Sequence, residues 1–589
     1  MPEASAPLRR YLRPYRSTLI AAGGFSVAKT AFELAQPWPF AIALDYAVGR
    51  RRLTGVLARA GSLSPVTFAL VAAASSVVLV GAGGVTGYLV EYLSGAAGEK
   101  IGSDLRVAAF ARLQRLSLAF HDRNRTGDLV ERLTSDVGHF QDALVAAFEI
   151  MLPQLLAIVG MVAVLLAVDI ELGLAALAVL PVLACLAVAC ERRICRAERR
   201  TRALTGALAS RANEVLHNVA AVQAFSRATD EEQRFRAASD ATMASAVEAI
   251  ELEARVYPLT DLVLSAGTGL VLFVGILRVI AGGLPVGTLL VTLVYVSHLY
   301  APIEELSEFA TLVARGGAGA ERLTEILGSH ELVPEAPDAV DAPPGPPALA
   351  LRGVSFSYRA GAPALVDVSL DVAAGEVVCL TGPSGAGKST LLALLLRLYD
   401  PDAGTIALGG VELRRLTLRS LRERIALVPQ DAWLLDGTVE ENIAFGWPGR
   451  TAEDVRRAAA VALVDEFVER LPERYATNVG EGGALLSGGQ QRRICLARAV
   501  LRQDSSLLLL DEPTAGLDAE SEATVLAALR RVIGGRTAII VSHARSVVAL
   551  ADRVVVLDRG RIVEQHPPAN PALPGGMDAP ARWKGGDRG

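Results

Sequence analysis

Six apolar segments, all before residue 304, constrain this chain more than any other feature. They run over roughly 17–48, 66–93, 143–168, 170–190, 256–280 and 284–303, and each has the roughly 20 residues a helix needs to cross a bilayer. The second would be about 42 Å long as a helix and so overruns the hydrocarbon. Yet 21% of the chain is charged, too much for a protein embedded throughout, so part of it must be soluble. The formal net charge of −5 argues against a nucleic-acid partner. Five cysteines exclude a disulfide scaffold. Cys185, Cys190 and Cys195 recur every five residues, do not share a helix face, and read as small apolar fillers rather than metal ligands.

No small-residue cleavage site follows the first apolar stretch, so it reads as a retained span and not a signal peptide. Segments 94–142 (Lys100, Arg106, Arg112, Arg115) and 191–255 (Arg192, Arg193, Arg196 through Arg255) are basic and should be cytoplasmic, with both termini. The link at Asp169 and Glu171 should be outside. Arg50, Arg51, Arg52 and Arg59, in the first outer link, run against this assignment and are outvoted. Apolar residues at helical spacing (Leu105, Ala108, Ala109, Leu113, Leu116) predict that the basic segments continue the spans as long cytoplasmic helices. Polar breaks near His121–Gly127 and Ser226–Asp230 would be the tips of two hairpins that touch something below the membrane. The predicted organisation is a membrane domain over 1–328 and a linker over 329–348, stiffened by the prolines at 343–347. An α/β domain over 349–565 and a Pro/Gly-rich, disordered tail over 566–589 complete it.

The soluble half carries two phosphate motifs. Glu376 to Thr381 reads as a buried strand, runs into Gly382-Pro383-Ser384-Gly385-Ala386-Gly387-Lys388-Ser389, and continues into a helix from Thr390. Glycines let backbone N–H groups turn inward around phosphate oxygens, Lys388 brings a mobile positive charge, and the Ser389 hydroxyl is a ligand for Mg²⁺. About 120 residues later, four leucines (507–510) form a central strand ending in Asp511 and Glu512. Asp511 can hold Mg²⁺ through water, and Glu512 can orient and deprotonate the attacking water. Between them, Leu486-Ser487-Gly488-Gly489-Gln490 opens a helix and makes a second anion-binding terminus. A second phosphate reader in one chain makes sense if it closes over a partner's ATP.

LSGGQ resembles the signature of ATP-binding cassette (ABC) transporters, and with the six spans residues 10–565 are similar to an exporter-type half-transporter. That resemblance implies a six-helix transmembrane domain with long cytoplasmic extensions, followed by an α/β P-loop ATPase. It also implies further roles. Tyr358 would stack on adenine, Gln430 would join Mg²⁺ and water to the membrane domain, Gly516-Leu517-Asp518 would be the D-loop, and His543 would contact the γ-phosphate. Residues 120–137 are similar to the first cytoplasmic hairpin of exporters, and 477–483 to their segment before the signature. The chain departs twice from the family pattern. Gly482 stands where an arginine is usual, and Gln491-Arg492-Arg493 follows the signature where Arg-Gln-Arg is usual. Neither departure is expected to touch the nucleotide chemistry.

The resemblance implies an ATP-driven pump with ATP and Mg²⁺ as cofactors, dimeric with a second half-transporter, in the inner (plasma) membrane with the ATPase domain cytoplasmic. Homodimer and heterodimer both stay open, as does import of a siderophore-like cargo or a gating role without pumping. Intact Glu512 and LSGGQ favour the pump. Ionisable residues at membrane depth are Lys29, Glu33, Asp45, Glu91, Glu149, Asp261, Arg278 and His298. Such charges are costly unless they face a wet cavity or a partner. Lys29 and Glu33 share a helix face, where they either bind cargo or merely neutralise each other. With an otherwise apolar wall, the expectation is a lipophilic or amphipathic small molecule or lipid as cargo, contacted by Lys29, Glu33 and His298.

Overall fold

The computed structural model describes residues 6–49, 64–299, 301–359, 361–447, 449–502 and 505–567. Arg50, Arg51, Arg52, Arg59 and the tail from residue 568 lie outside the described residues, as do the side chains of Cys190 and Cys195. The chain divides into two compact units. The first holds residues up to Leu113 and Gly127–Gly328; the second holds Gln114–Thr126 and everything from Ser329.

The first unit is helical. Four helical runs among the described residues are long and apolar enough to cross a bilayer: Val66–Leu113, Thr126–Val168, Ala228–Ile280 and Val286–Gly328. The first apolar segment of the sequence is split instead into helices Arg16–Ala35 and Trp38–Gly49. Pro37 and Pro39 remove backbone donors at the junction, and Lys29 and Glu33 dilute the apolar run. The 170–190 segment becomes helix Ile170–Leu177 and the head of helix Val179–His217, which continues into the basic stretch. Helix Pro65–Leu113 has 49 residues, about 74 Å at the standard rise, so the protrusion exceeds what the apolar length alone implied. Short tip helices, Leu118–Arg123 and Val219–Ala224, stand at the two polar breaks.

Polar bonds fasten the broken first segment to helix Val286–His298. The Tyr295 hydroxyl donates to the carbonyl of Leu34, beside the break, and accepts from Trp38 Nε1 at 2.9 Å. Asp45 Oδ1 accepts the Gly287 N–H at 2.6 Å, satisfying one of the orphan donors at that helix's start. Asp136, buried at 1% exposure, is paired by Arg322 at 2.6 Å.

The second unit is built on two sheets. Strands β1 (Leu349–Arg359), β2 (Ala362–Val372), β4 (Ala403–Leu408) and β5 (Val411–Glu412) form an antiparallel sheet in the order β2-β1-β4-β5. The main sheet runs β10-β9-β3-β8-β7-β6, from β3 (Val377–Thr381), β6 (Ile425–Val428), β7 (Leu507–Asp511), β8 (Thr537–Val541), β9 (Arg553–Asp558) and β10 (Arg561–His566). Its strands are parallel except β10. Leu507 and Leu509 enter one core, Leu508 and Leu510 the other, so the sheet is buried on both faces as a run of four leucines requires. The proline-rich stretch before β1 is sewn to this unit and does not hang free. Val340 exchanges backbone bonds with Arg415 and Thr417 at 2.8 and 2.9 Å, and Pro347 O accepts from Thr537 Oγ1 at 2.9 Å.

Candidate nucleotide site and membrane cavities

Ligands of parallel α/β sheets sit beyond the carboxyl ends of the strands. Here β3, β8, β7 and β6 are consecutive neighbours, and each ends in one of the residues singled out in the sequence. The glycine loop follows β3, His543 follows β8, Asp511 and Glu512 end β7, and Gln430 lies two residues beyond β6. One edge of one sheet therefore collects the chemistry.

The loop is shaped by a backbone contact. Gly382 has φ +141°, and a Cβ there would lie 1.9 Å from the carbonyl oxygen of Leu557. Only glycine fits. Among the described residues, the N–H groups of Gly385, Gly387, Lys388 and Ser389 donate to no acceptor of the chain. Four N–H groups left without acceptors around a helix start are the donor set an anion such as a polyphosphate requires. Lys388, 7% exposed, folds over the loop and donates to Gly382 O at 2.6 Å and Pro383 O at 3.0 Å. Ser389 Oγ donates to Asp511 Oδ2 at 3.0 Å, which brings the two proposed Mg²⁺ ligands together. Burial, and then the neighbouring Glu512, push the Asp511 carboxyl above its usual range, while the Ser389 bond opposes them. Such a site favours a bound cation. Ser384 is exposed on the loop, and Thr390 takes a bond from the Tyr358 hydroxyl at 3.2 Å.

Glu512 is a non-glycine residue at φ +45°. That conformation costs on the order of 1–3 kcal/mol and persists only when its surroundings over-determine it. Two groups do so. Glu512 N–H donates to Val541 O at 2.8 Å, and Arg492 donates to Glu512 O and Ala515 O, both at 2.8 Å. Arg492 is one of the residues at which the chain departs from the family pattern. Its guanidinium grips the backbone of the turn that carries Glu512, a contact the departure from the pattern did not foretell. The bond runs to backbone carbonyls, which no side-chain motif reveals. Gly482, the other departure, has φ +62° in an exposed turn, where an arginine would be strained. His543 Nε2 lies 3.9 Å from Glu512 Oε1, and its Nδ1 lies 3.5 Å from Thr381 Oγ1. Gln430 is exposed and bonds to none of these residues among those described.

The signature lies apart from the loop in the chain and is built as a cap. Ser487 Oγ accepts the Gln490 N–H at 3.3 Å, and Gln490 Oε1 accepts the Ser487 N–H at 2.9 Å, a capping box for helix Gly488–Leu501. Gly489 packs against Ser521, and Gly488 faces Leu517. Asp518 in turn caps helix Ala519–Ile533 through Ser521 N at 2.9 Å, and that bond holds its carboxyl below the usual range. Signature and D-loop are thus packed as one surface.

The aromatic Tyr358 is half exposed and stands edge-on to Tyr399, ring centres 5.3 Å apart. The Tyr399 hydroxyl donates to Asp122 on tip helix Leu118–Arg123, which belongs to this unit. Burial and the Asp122 carboxylate hold the Tyr399 phenol well above its usual range, so it remains a donor. Arg123 pairs with Glu331, whose carbonyl accepts the Ser117 N–H at 2.7 Å. The first hairpin tip is therefore seated one aromatic ring away from Tyr358. The second tip, around Val219–Ala224, belongs to the first unit.

In the first unit, Lys29 and Glu33 form an i,i+4 pair at 3.8 Å. Both line a cavity of about 580 Å³. Glu33 also lines a second cavity of about 530 Å³ that includes His298. The other ionisable residues divide by role. Asp45 holds Gly287, and Arg278 pairs with Asp169 at 2.7 Å and Glu171 at 3.5 Å. Glu91 and Glu149 line the first cavity. Among the described residues no group of three or more His, Cys, Asp or Glu could hold a metal ion by itself.

Comparison with known proteins agrees with this architecture. Residues 19–303 match the family model of the ABC transporter transmembrane region, and residues 365–515 match the family model described as ABC transporter. The chain is 34% identical over 471 residues to the ATP-dependent lipid A-core flippase of Syntrophus aciditrophicus, covering 80% of this chain and 78% of that protein. It is 33% identical over 561 residues to a multidrug efflux ATP-binding/permease protein of Mycobacterium tuberculosis, covering 95% of this chain and 46% of that protein. The solved structure of a bacterial Atm1-family ABC exporter with ATP bound matches with a TM-score of 0.74 at 28% identity, over 94% of this chain and 95% of that one.

Proposed function

This chain belongs to the ABC transporter family, and from that premise we propose that it pairs with a second half-transporter to expel lipophilic or amphipathic molecules or lipids across the inner (plasma) membrane. Its helical transmembrane domain and ABC ATPase make it an ATP-hydrolysing exporter. The observation that supports the finer reading is the single sheet edge on which loop, Asp511, Glu512 and His543 converge, while no hydrogen bond or ion pair among the described residues joins the signature to the loop. A site split in this way is completed by a second cassette.

In this reading, the loop N–H groups and Lys388 hold the β- and γ-phosphates, and Tyr358 stacks on the adenine. Ser389, Asp511 and Gln430 hold Mg²⁺, whose contribution is to neutralise phosphate charge. Glu512 accepts a proton from the attacking water, and His543 contacts the γ-phosphate from the adjacent strand. Ser487, Gly488, Gly489, Gln490 and Asp518 face the nucleotide of the opposite cassette. Lys29, Glu33 and His298 meet cargo in the membrane domain, and the ATPase unit faces the cytoplasm.

The test is transport in proteoliposomes with the ATPase domain outward. ATP should drive a lipophilic fluorophore into the lumen, and the Glu512→Gln protein should not. Equal accumulation with and without ATP would defeat the reading.

A further inference from the structure

The membrane-domain cavity that holds Lys29 carries information about the charge of its ligand. Helices Arg16–Ala35 and Pro65–Leu113 and the turn at Glu149 enclose about 580 Å³, within the range of drug-sized sites. Three carboxylates line it, Glu33, Glu91 and Glu149, against one ammonium, Lys29. Lys29 stands 3.8 Å from Glu33, a loose pair one helical turn apart. Glu149 Oε1 lies 2.6 Å from the Ser94 hydroxyl, a neutral partner. Among the described residues the Glu91 carboxylate makes no hydrogen bond or ion pair, and only its backbone carbonyl is engaged, by Ser94 at 3.3 Å. The lining therefore carries three carboxylates against one ammonium, an acidic excess of two groups. Phe32, Leu79 and Val80 supply apolar wall, and Tyr88 stacks on Tyr92 with ring centres 6.0 Å apart. An aromatic face beside carboxylates is the setting in which a cation is attracted twice, by charge and by the ring quadrupole.

We propose that this cavity selects amphipathic organic cations, bound through Glu91 and Glu149 with their apolar bodies against Phe32 and Tyr88, and that it discriminates against anionic amphiphiles of the same shape. This rests on the export reading and narrows its cargo class. A negative headgroup would meet three carboxylates and a single ammonium, so shape alone would not admit it.

Tetraphenylphosphonium and tetraphenylborate are near-isosteric ions of opposite sign, and a neutral lipophilic fluorophore completes the set. ATP-dependent uptake into proteoliposomes holding the full chain is measured for all three. Wild type should move the phosphonium and not the borate. The Glu91→Gln/Glu149→Gln protein should need at least tenfold more phosphonium for half-maximal uptake, with its thermal unfolding midpoint checked against wild type. The isosteric comparison on wild type stands even if that variant does not fold. Borate uptake equal to phosphonium uptake, or an unchanged half-maximal concentration in the folded double variant, overturns the proposal. If the neutral probe moves and the phosphonium does not, export stands and the cation site falls. If no probe of any charge moves, both fall.

Discussion

Glu512 sits where the chain bends in a conformation that side chains resist, and this makes its aim depend on what holds the bend. As the carboxylate beside Asp511, it is the general base of the reading above. Glu512→Gln should keep ATP binding and lose hydrolysis by on the order of 10²–10⁴-fold. Phosphate release within threefold of wild type, in protein that still binds ATP, would remove the assignment. Arg492 makes the second prediction at this scale. It donates twice to the backbone of that bend, and charged hydrogen bonds of this kind are worth about 1.5–3 kcal/mol. Arg492→Ala should therefore lower kcat on the order of 10- to 100-fold with KM for ATP little changed. Arg492→Lys should not restore it, because an ammonium cannot make the two-pronged contact. An equal loss in kcat and gain in KM would point to a nucleotide-binding role instead. These residues also mark what a sequence discloses about a site. The glycine loop, the Asp511-Glu512 strand end and LSGGQ are legible because each is a short run whose chemistry requires adjacent residues. Arg492 was legible only as a departure from a pattern, because its partners are carbonyls 20 and 23 positions onward and carbonyls leave no letter in the sequence.

At the scale of elements, the tip helix Leu118–Arg123 shows how a charge at the end of a long hairpin acquires a function. Asp122 accepts the Tyr399 hydroxyl, and Tyr399 stands edge-on to Tyr358. Closure on nucleotide can reach the tip through one ring. Asp122→Ala should leave basal ATPase near wild type and abolish its stimulation by cargo. Stimulation that survives the substitution, measured in bilayers with a transported compound, would route coupling elsewhere. The helix capped by Asp518 gives a pH prediction. Its carboxyl is held below the usual range by Ser521, so the cap contributes fully above the ordinary aspartate pKa and fades as pH falls through the lowered folded value. Asp518→Ala should lower the thermal midpoint at neutral pH, and the gap should narrow on acidification. A gap that widens in acid would contradict the cap. Hairpins and polar breaks could be read from periodicity, and the α/β character of the second half from its alternating segments. The split of the first apolar segment could not be read as a break, since Pro37 and Pro39 end a helix only if, as here, Tyr295 and Trp38 make the broken geometry worth keeping.

For the whole molecule, two phosphate-reading motifs that share no bond make a claim about stoichiometry that mixing can test. If each nucleotide is held by the loop of one copy and the signature of another, a defect in either motif kills every site of a pure dimer. Lys388→Met removes the loop's charge. Gly488→Asp places a carboxylate where an anion should bind, and its Cβ has room, with Leu517 no closer than 3.6 Å. Each variant alone should hydrolyse almost no ATP. In a mixed dimer, both defects fall on one site, and the other combines the intact loop of one copy with the intact signature of its partner. Random one-to-one mixing makes about half of the dimers mixed, so activity should recover to about a quarter of wild type if the sites work independently. Mixing after purification in conditions that prevent exchange should recover none. The readout is phosphate release from co-expressed and separately purified pairs. Full inactivity of the co-expressed pair, with mixed dimers shown by differential tags, would mean that each chain completes its own site and the signature serves another end.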